Sequence, residues 1–593
     1  MPSRRAPLLL AFVSLLVTSA FSQAQWDSVA HSNEFGHVTK PTTASDEGKL
    51  RFRSETTLIQ VPVVVTDKKG NHLHGLTKEN FRVFENGKEQ KIATFEEFVA
   101  TNAKIPPIET LPGEFSNLAL AFSEKRPRSV TVIAVDTVNT PFLDQAIGRH
   151  ELVKYLAHNI DTSQILALMI MTSRGVKVVQ GLTGNTDQLA LALKRASGEL
   201  PQSLDTPLAN QARAATGNDL PSPQDALAAV AAAGSGPGSV AAGLAAVQTF
   251  QDYADVMASQ FQQARAIEIT LSSFLVIAQS LSGIPGRKSI IWATSGFPFV
   301  IDAPDVVPGN LGPLYERTMK ALTDGQISVY PVDVRGIVTR GEGEAAPGPL
   351  GARSAGPSQA DMNNRMWLLS STIQSLNEFA EMTGGKAFYN SNDLAGSFKR
   401  AADDSSAYYL VGYYLDTKNT RAGWRQLKVG IDKSGVEIRA RKGFFATHAT
   451  VDPDSTRDYD LRSALSSPID STGVPVSLKW TALSGEGDNK KAEFKVEIAP
   501  NGVSLGGDDQ SHLNFEIAVA AYRENSKDGK PVLTVGQKVD TSISPQQLAM
   551  AHTKGIIINK DLTLGPGEYV VRLVVRDSVT GKIGSVTAPL SVN

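Results

Sequence analysis

An acid closes an apolar run in "VTVIAVDTVNT" (130–140), and two threonines and an amide follow it within four residues. A carboxylate at the end of a strand that reads as buried is costly unless it is hydrogen-bonded, paired or bound to a cation. Asp136 therefore has three candidate roles. It can cap backbone amides, pair with a cation such as Arg335 or with Ser295 across a crevice, or offer oxygen to a hard divalent ion. A second acid, Asp333, closes "ISVYPVD" (327–333) in the same way. Carboxylates at such strand ends, for example Asp136 with Asp333, would suit a hydrolase, although no nucleophile–base constellation accompanies them.

Other strings that suggest chemistry have plainer readings. "GIPGRKS" (283–289) has the wrong glycine-to-lysine spacing for a phosphate loop, and it precedes a strand where a phosphate loop would follow one. His72 and His74 alternate onto one face of a hairpin, with no third ligand nearby. "TGG" (383–385) reads as a helix stop. Tyr408, Tyr409, Tyr413 and Tyr414 alternate along a strand, and packing against neighbours is the expectation for them. H-E-x-x-H, G-x-S-x-G and G-x-G-x-x-G are absent, and the nine histidines are scattered.

The elements that must position these residues follow from periodicity. Between 130 and about 405, strands are expected at 130–136, 164–171, 175–180, 288–294, 326–333 and 386–390. Helices are expected near 143–159, 186–197, 257–282, 313–323, 368–383 and 393–403. That alternation predicts a doubly wound, Rossmann-like α/β sheet, whose ligands would bind beyond the carboxyl ends of the strands. Asp136 would lie at that crevice. The 257–282 stretch repeats apolar residues at helical spacing and reads as a packing helix. All-β modules are expected on both sides: a small one over 54–112, with an Asn86-Gly87 hairpin turn, and a β-sandwich over 465–593. Two Gly/Ala/Pro-rich stretches, 199–250 and 336–362, interrupt the central pattern as insertions.

Composition narrows the partners. The chain has 593 residues, which implies several domains, and its net charge of −2 gives no electrostatic reason to expect nucleic acid. With no cysteine, disulfides, thiolate metal sites and a cysteine nucleophile are excluded. Arg4 and Arg5 followed by "APLLLAFVSLLVTSA" read as a signal peptide over 1–24, with a flexible leader over 25–53. The expectation is an exported protein, periplasmic, cell-surface or extracellular, with no membrane insertion after signal removal.

Taken together, several strings resemble the von Willebrand factor A-type domain, and more closely the secreted acidobacterial proteins related to it. They are "VVVTDKKGNHLHGLTKENFRVFENGKEQKI", "VIAVDTVNT", "GIPGRKSIIWATSGF", "ISVYPVDVRG", "LNEFAEMTGGKAFYNSNDLAGSFKRAADDSSAYYLVGYY" and "RQLKVGIDKSGVEIRARKGFF". The resemblance covers about residues 55–445 and implies an A-type domain over 125–447. It also implies a metal-ion-dependent adhesion site, where hydroxyls and carboxylates hold Mg²⁺ and a partner's carboxylate completes the shell. Carried over, Asp136 matches the first acid and Thr140 the second hydroxyl. Val138 stands where a serine belongs, and Ser295 where many relatives have an aspartate. Thr206 is a candidate for the threonine loop. The implied site is degenerate and would hold Mg²⁺ weakly. Asn139 and Asp333 complete the expected partner-binding face. The functional expectation is a non-enzymatic binding, adhesion or scaffold protein that recognises a protein or cell-surface ligand at that face. The alternatives are a secreted hydrolase and an inert envelope protein.

Overall fold

The computed structural model describes residues 56–99, 113–117, 130–158, 165–196, 237–297, 311–337, 372–416, 423–446, 454–485, 489–506, 511–524 and 529–593, with three further residues between 228 and 232. The expected signal peptide and leader, Thr206, and most of the two insertions lie outside the described residues.

Two four-stranded sheets form the first unit. One runs in the order Val436–Arg439, Thr56–Asp67, Ala407–Asp416, Thr94–Val99; the other runs Gly443–Ala446, Gly423–Ile431, Phe81–Glu85, Lys88–Gln90. Alternate residues of both sheets, among them Val61, Val63, Phe81, Val83, Val411 and Leu427, share one core. The Asn86-Gly87 turn carries positive φ at both positions (46° and 79°), as a two-residue hairpin of this twist requires. Of the four tyrosines, Tyr408, Tyr409 and Tyr413 are buried and Tyr414 is exposed.

A five-stranded sheet lies at the centre, in the order Ile327–Asp333, Lys288–Thr294, Val130–Asp136, Ile165–Thr172, Gly175–Thr183. The first four strands pair in parallel, and the last runs antiparallel at the edge. Strands 130–136, 288–294 and 327–333 are buried at every position, which is why they read as predominantly apolar runs without strict alternation. One face packs under the helices Pro237–Leu281 and Gly312–Asp324 and the helical segment 372–383. The other packs under Phe142–His158, Thr186–Ala196 and Leu394–Asp404.

Two further sheets follow. Glu114–Ser116, Val476–Ser484, Lys490–Ile498 and Ile556–Leu564 form one; His512–Arg523, Gly567–Asp577, Ile583–Val592, Leu505–Gly506 and Leu533–Ser542 form the other.

The α/β fold class expected from sequence is corrected by this arrangement. The described residues are mostly β, 45% strand against 31% helix, in five separate sheets. Four of the five are wholly antiparallel, so a doubly wound α/β class does not describe it. The physical reason lies in strand pairing that short-range periodicity cannot see. Residues 407–446, expected within the 125–447 domain, hydrogen-bond to 56–99 instead: Val61 is registered on Val411 and Val83 on Val429. The expected strand 386–390 contributes a single bridge, Phe388 to Val332. The helix expected at 257–282 begins at Pro237, inside the stretch assigned to an insertion. Its part Phe261–Leu281 is long and apolar enough to cross a membrane, yet Ile267, Leu271, Phe274 and Ile277 are buried against the central sheet.

Lys288 opens a central strand and is itself buried. Its Nζ donates to the Ile284 carbonyl, and burial pushes its pKa down from 10.5 to about 7. The folded state therefore holds this proton more weakly than the unfolded chain. Below about pH 7 both states carry it and the desolvation cost is complete; from about pH 7 to 10.5 the unfolded chain binds more, so stability rises with pH. Lys288→Met should stabilise the chain at pH 7 by something on the order of 3 kcal/mol, with the advantage shrinking towards pH 10. Paired denaturant titrations at the two pH values check this, and an equal advantage at both would refute it.

Candidate functional site

The carboxyl ends of the parallel strands form a rim, and Asp136 lies on it with no solvent exposure. Its Oδ1 accepts the backbone N–H of Val138 at 2.8 Å and of Asn139 at 3.0 Å. Its Oδ2 accepts Asn139 Nδ2 at 2.8 Å, Trp292 Nε1 at 3.0 Å and Thr294 Oγ1 at 3.0 Å. Five donors thus surround a group with about four lone-pair sites. Burial raises the pKa of this carboxyl above the ordinary aspartate value, while the donors from Asn139, Val138 and Thr294 pull it back.

Each donor follows from local structure. The turn after the strand folds its amides back onto the acid, as Asx turns do. Trp292 and Thr294 share a face of the adjacent strand, whose parallel register sets Ala293 beside Val135. Asn139 Nδ2 also donates to Thr270 Oγ1 at 2.8 Å, which ties the loop to the long helix.

The other expected site residues are engaged as well. Thr140 Oγ1 accepts the N–H of Ser295 at 3.1 Å, and Gln145 Nε2 donates to the Thr140 carbonyl at 2.8 Å. Ser295 Oγ donates to Asp144 Oδ2 at 2.9 Å, so its partner is Asp144 and not Asp136. Asp333 takes the guanidinium of Arg335 on both oxygens, at 2.9 and 2.7 Å, and the Arg335 N–H at 3.0 Å. Arg335 thus pairs with Asp333 and leaves Asp136 to the amides. His72 and His74 part company: the first meets the Asp403 carbonyl, the second Glu97.

Sequence brought Asp136, Asn139, Thr140 and Ser295 to one place, and the structure joins them there. The Mg²⁺ site implied for Asp136, Thr140 and Ser295 does not fit. A hard cation needs carboxylate lone pairs directed at it, and both Asp136 oxygens are occupied by protein donors. Val138 supplies only a buried isopropyl group, and no group of three or more His, Cys, Asp or Glu among the described residues could hold a metal. Of the two residues expected on a partner-binding face, Asp333 is buried against Arg335, and Asn139 is part-buried with its amide nitrogen on Asp136 and Thr270. Trp292, Thr294, Thr270 and Asp144 escaped the sequence reading. The acid-to-amide spacing of "DTVN" signals local capping and could have pointed to it.

Among the described residues, the rim also presents several apolar side chains outward, beside exposed polar ones such as Asn390 and Asn392. Leu143 is 70% exposed and Phe142 58%, both on the first turn of the helix that follows Asp136, and Ile147 lies one turn on. Ile337, just beyond Asp333, is exposed too. Gly148 packs against Val334, so close that a Cβ there would sit 2.8 Å from the valine, and this brings the two segments together.

No family model matches the chain, and no curated protein does. Among solved structures, the TFIIH p34 N-terminal domain is similar at 14% sequence identity, over 35% of this chain and 80% of that one, with a TM-score of 0.16. A superposition that poor carries neither fold nor function across.

Asp136→Ala should lower stability by about 3–5 kcal/mol, because it strands buried donors. Mg²⁺ and chelator should both leave the wild-type melting temperature unmoved. A magnesium-dependent rise lost in Asp136→Ala would restore the metal site.

Proposed function

We propose that this chain is a non-enzymatic binding or scaffold protein that docks a protein partner on the rim by apolar contact, without a metal. One observation carries the reading: the two acids that close central strands, Asp136 and Asp333, are turned inward, while Phe142, Leu143, Ile147 and Ile337 face outward. Exposed apolar clusters rimmed by polar residues commonly mark interaction sites. The resemblance to secreted von Willebrand factor A-related proteins fits this reading, with the departure that recognition runs through side-chain area. Export rests on the N-terminal 24 residues and is part of the proposal. The hydrolase alternative draws less support, because Asp136 is ringed by five protein donors and Asp333 is paired with the Arg335 guanidinium.

A structural role in the envelope is the second reading, and the buried joints favour it. Gly283 N–H meets Thr472 Oγ1 at 2.8 Å, and the Arg287 N–H meets Tyr408 Oη at 3.0 Å. Arg317 pairs with Asp460. These contacts hold the β units firmly on the central sheet.

Affinity capture from envelope extract of the source organism, using the processed full chain, separates the readings. The wild type should retain a partner equally with and without chelator. The double variant Leu143→Asp/Ile147→Asp, unchanged in melting temperature, should retain at least about tenfold less, as expected for losing two buried apolar anchors. Retention that survives the double variant, or that chelator abolishes, would overturn rim docking.

A further inference from the structure

The end of the central sheet opposite the rim carries buried positive charge whose hydrogen-bond acceptors are all neutral. Arg287 and Arg441 are buried there, 1% and 7% exposed. Arg287 donates to Ser328 Oγ at 3.2 Å, Tyr330 Oη at 2.7 Å and the Gly384 carbonyl at 3.0 Å. Arg441 donates to the carbonyls of Thr323 at 3.1 Å and Gln60 at 3.0 Å. Every one of these acceptors is neutral. The nearby carboxylates are already engaged: Asp404 pairs with Arg439 and accepts the Tyr330 hydroxyl, and Asp324, whose charge favours the Arg441 cation from a distance, pairs with Lys320. Arg287 Nη1 and Arg441 Nε are buried with no acceptor among the described residues. Burial lowers Arg441 to about 10, which still leaves it charged at neutral pH.

Arg441 also walls a cavity of about 10 Å³, together with Ser328, Thr383, Gln326 and Pro62. That is room for one water-sized particle. Ser328 is the residue that links the cavity to Arg287. A water there would satisfy an N–H without placing any counter-charge in contact with the guanidinium; sulfate or phosphate is too large. We propose that this cavity binds a single small monovalent inorganic anion of chloride size beside Arg441. The anion would bridge the first β unit, through Pro62 and Arg441, to the start of the Ile327–Asp333 strand, and so close the joint between them.

Thermal unfolding of the full chain, titrated with sodium chloride and bromide against sodium gluconate and sulfate at matched ionic strength, tests the site. The halides should give a saturable rise of a few degrees that the two larger anions do not. Arg441→Met should remove the saturable part. Because that variant can unfold for packing reasons alone, crystals of the wild type grown in bromide supply a second measurement. An anomalous peak beside Arg441 is expected. An equal rise in all four salts, or a cavity holding only water in those crystals, would overturn the proposal.

Discussion

A carboxylate removed from water at the end of a central strand must find its donors inside the protein, and the rim is organised around that need. Asp136 gathers them from its own loop and from the neighbouring strand. Asn139 carries the link onward to the long helix through Thr270. Strand end, loop, second strand and helix are thereby held in one arrangement without any ligand. Were a cation to enter, it would have to displace those donors while giving up its own water, and no cluster of acids or histidines among the described residues compensates for either loss. The residue whose type and position most suggest chemistry is therefore a clamp. Its inward turn leaves apolar side chains of the following helix on the outer layer of the rim.

The opposite end of the same sheet has the reverse character. Strands 288–294 and 327–333 begin among Arg287, Lys288 and Ser328, and both β units attach near that end. "GIPGRKS", which could pass for a phosphate loop, serves these joints. A Cβ on Gly283 would lie 1.9 Å from the Thr472 carbonyl oxygen, so only glycine allows the C-terminal unit to come so near. Gly286 takes a positive φ of 88° and turns the chain so that Arg287 enters the interior. With attachments concentrated there, the described β units leave Leu143 and Phe142 at the far end uncovered.

How far the sequence could be read follows from the range of each signal. Strands 130–136 and 288–294 were legible because they are buried on both faces, and a short, mainly apolar run rich in β-branched and aromatic residues and bounded by turn residues favours a buried strand over a helix. The Asn86-Gly87 turn was legible because two successive positive φ angles demand that pair. The partnership of 407–446 with 56–99 was not, since it spans more than 300 residues and leaves no periodic trace in either segment. Assigning those strands to the nearest domain gave the wrong class for the chain. At the site, the position of Asp136 was legible but its role was not. The deciding donors, Trp292 and Thr294, are over 150 residues away and become neighbours only through parallel register.

Apolar contact on the rim also sets a limit on what docking there can achieve. Metal-mediated recognition concentrates free energy in a few directional bonds, whereas burying an exposed Leu, Ile or Phe yields only about 1.5–3 kcal/mol. Four such residues give roughly 6–12 kcal/mol before the cost of association, which is itself about 4–15 kcal/mol. The margin is too thin for tight binding by Phe142, Leu143, Ile147 and Ile337 alone. A partner would need further contacts beyond them, or several copies presented together so that weak contacts add through effective concentration. A rigid rim favours the second arrangement, because a face fixed in advance by the Asp136 clamp loses little entropy each time it is engaged.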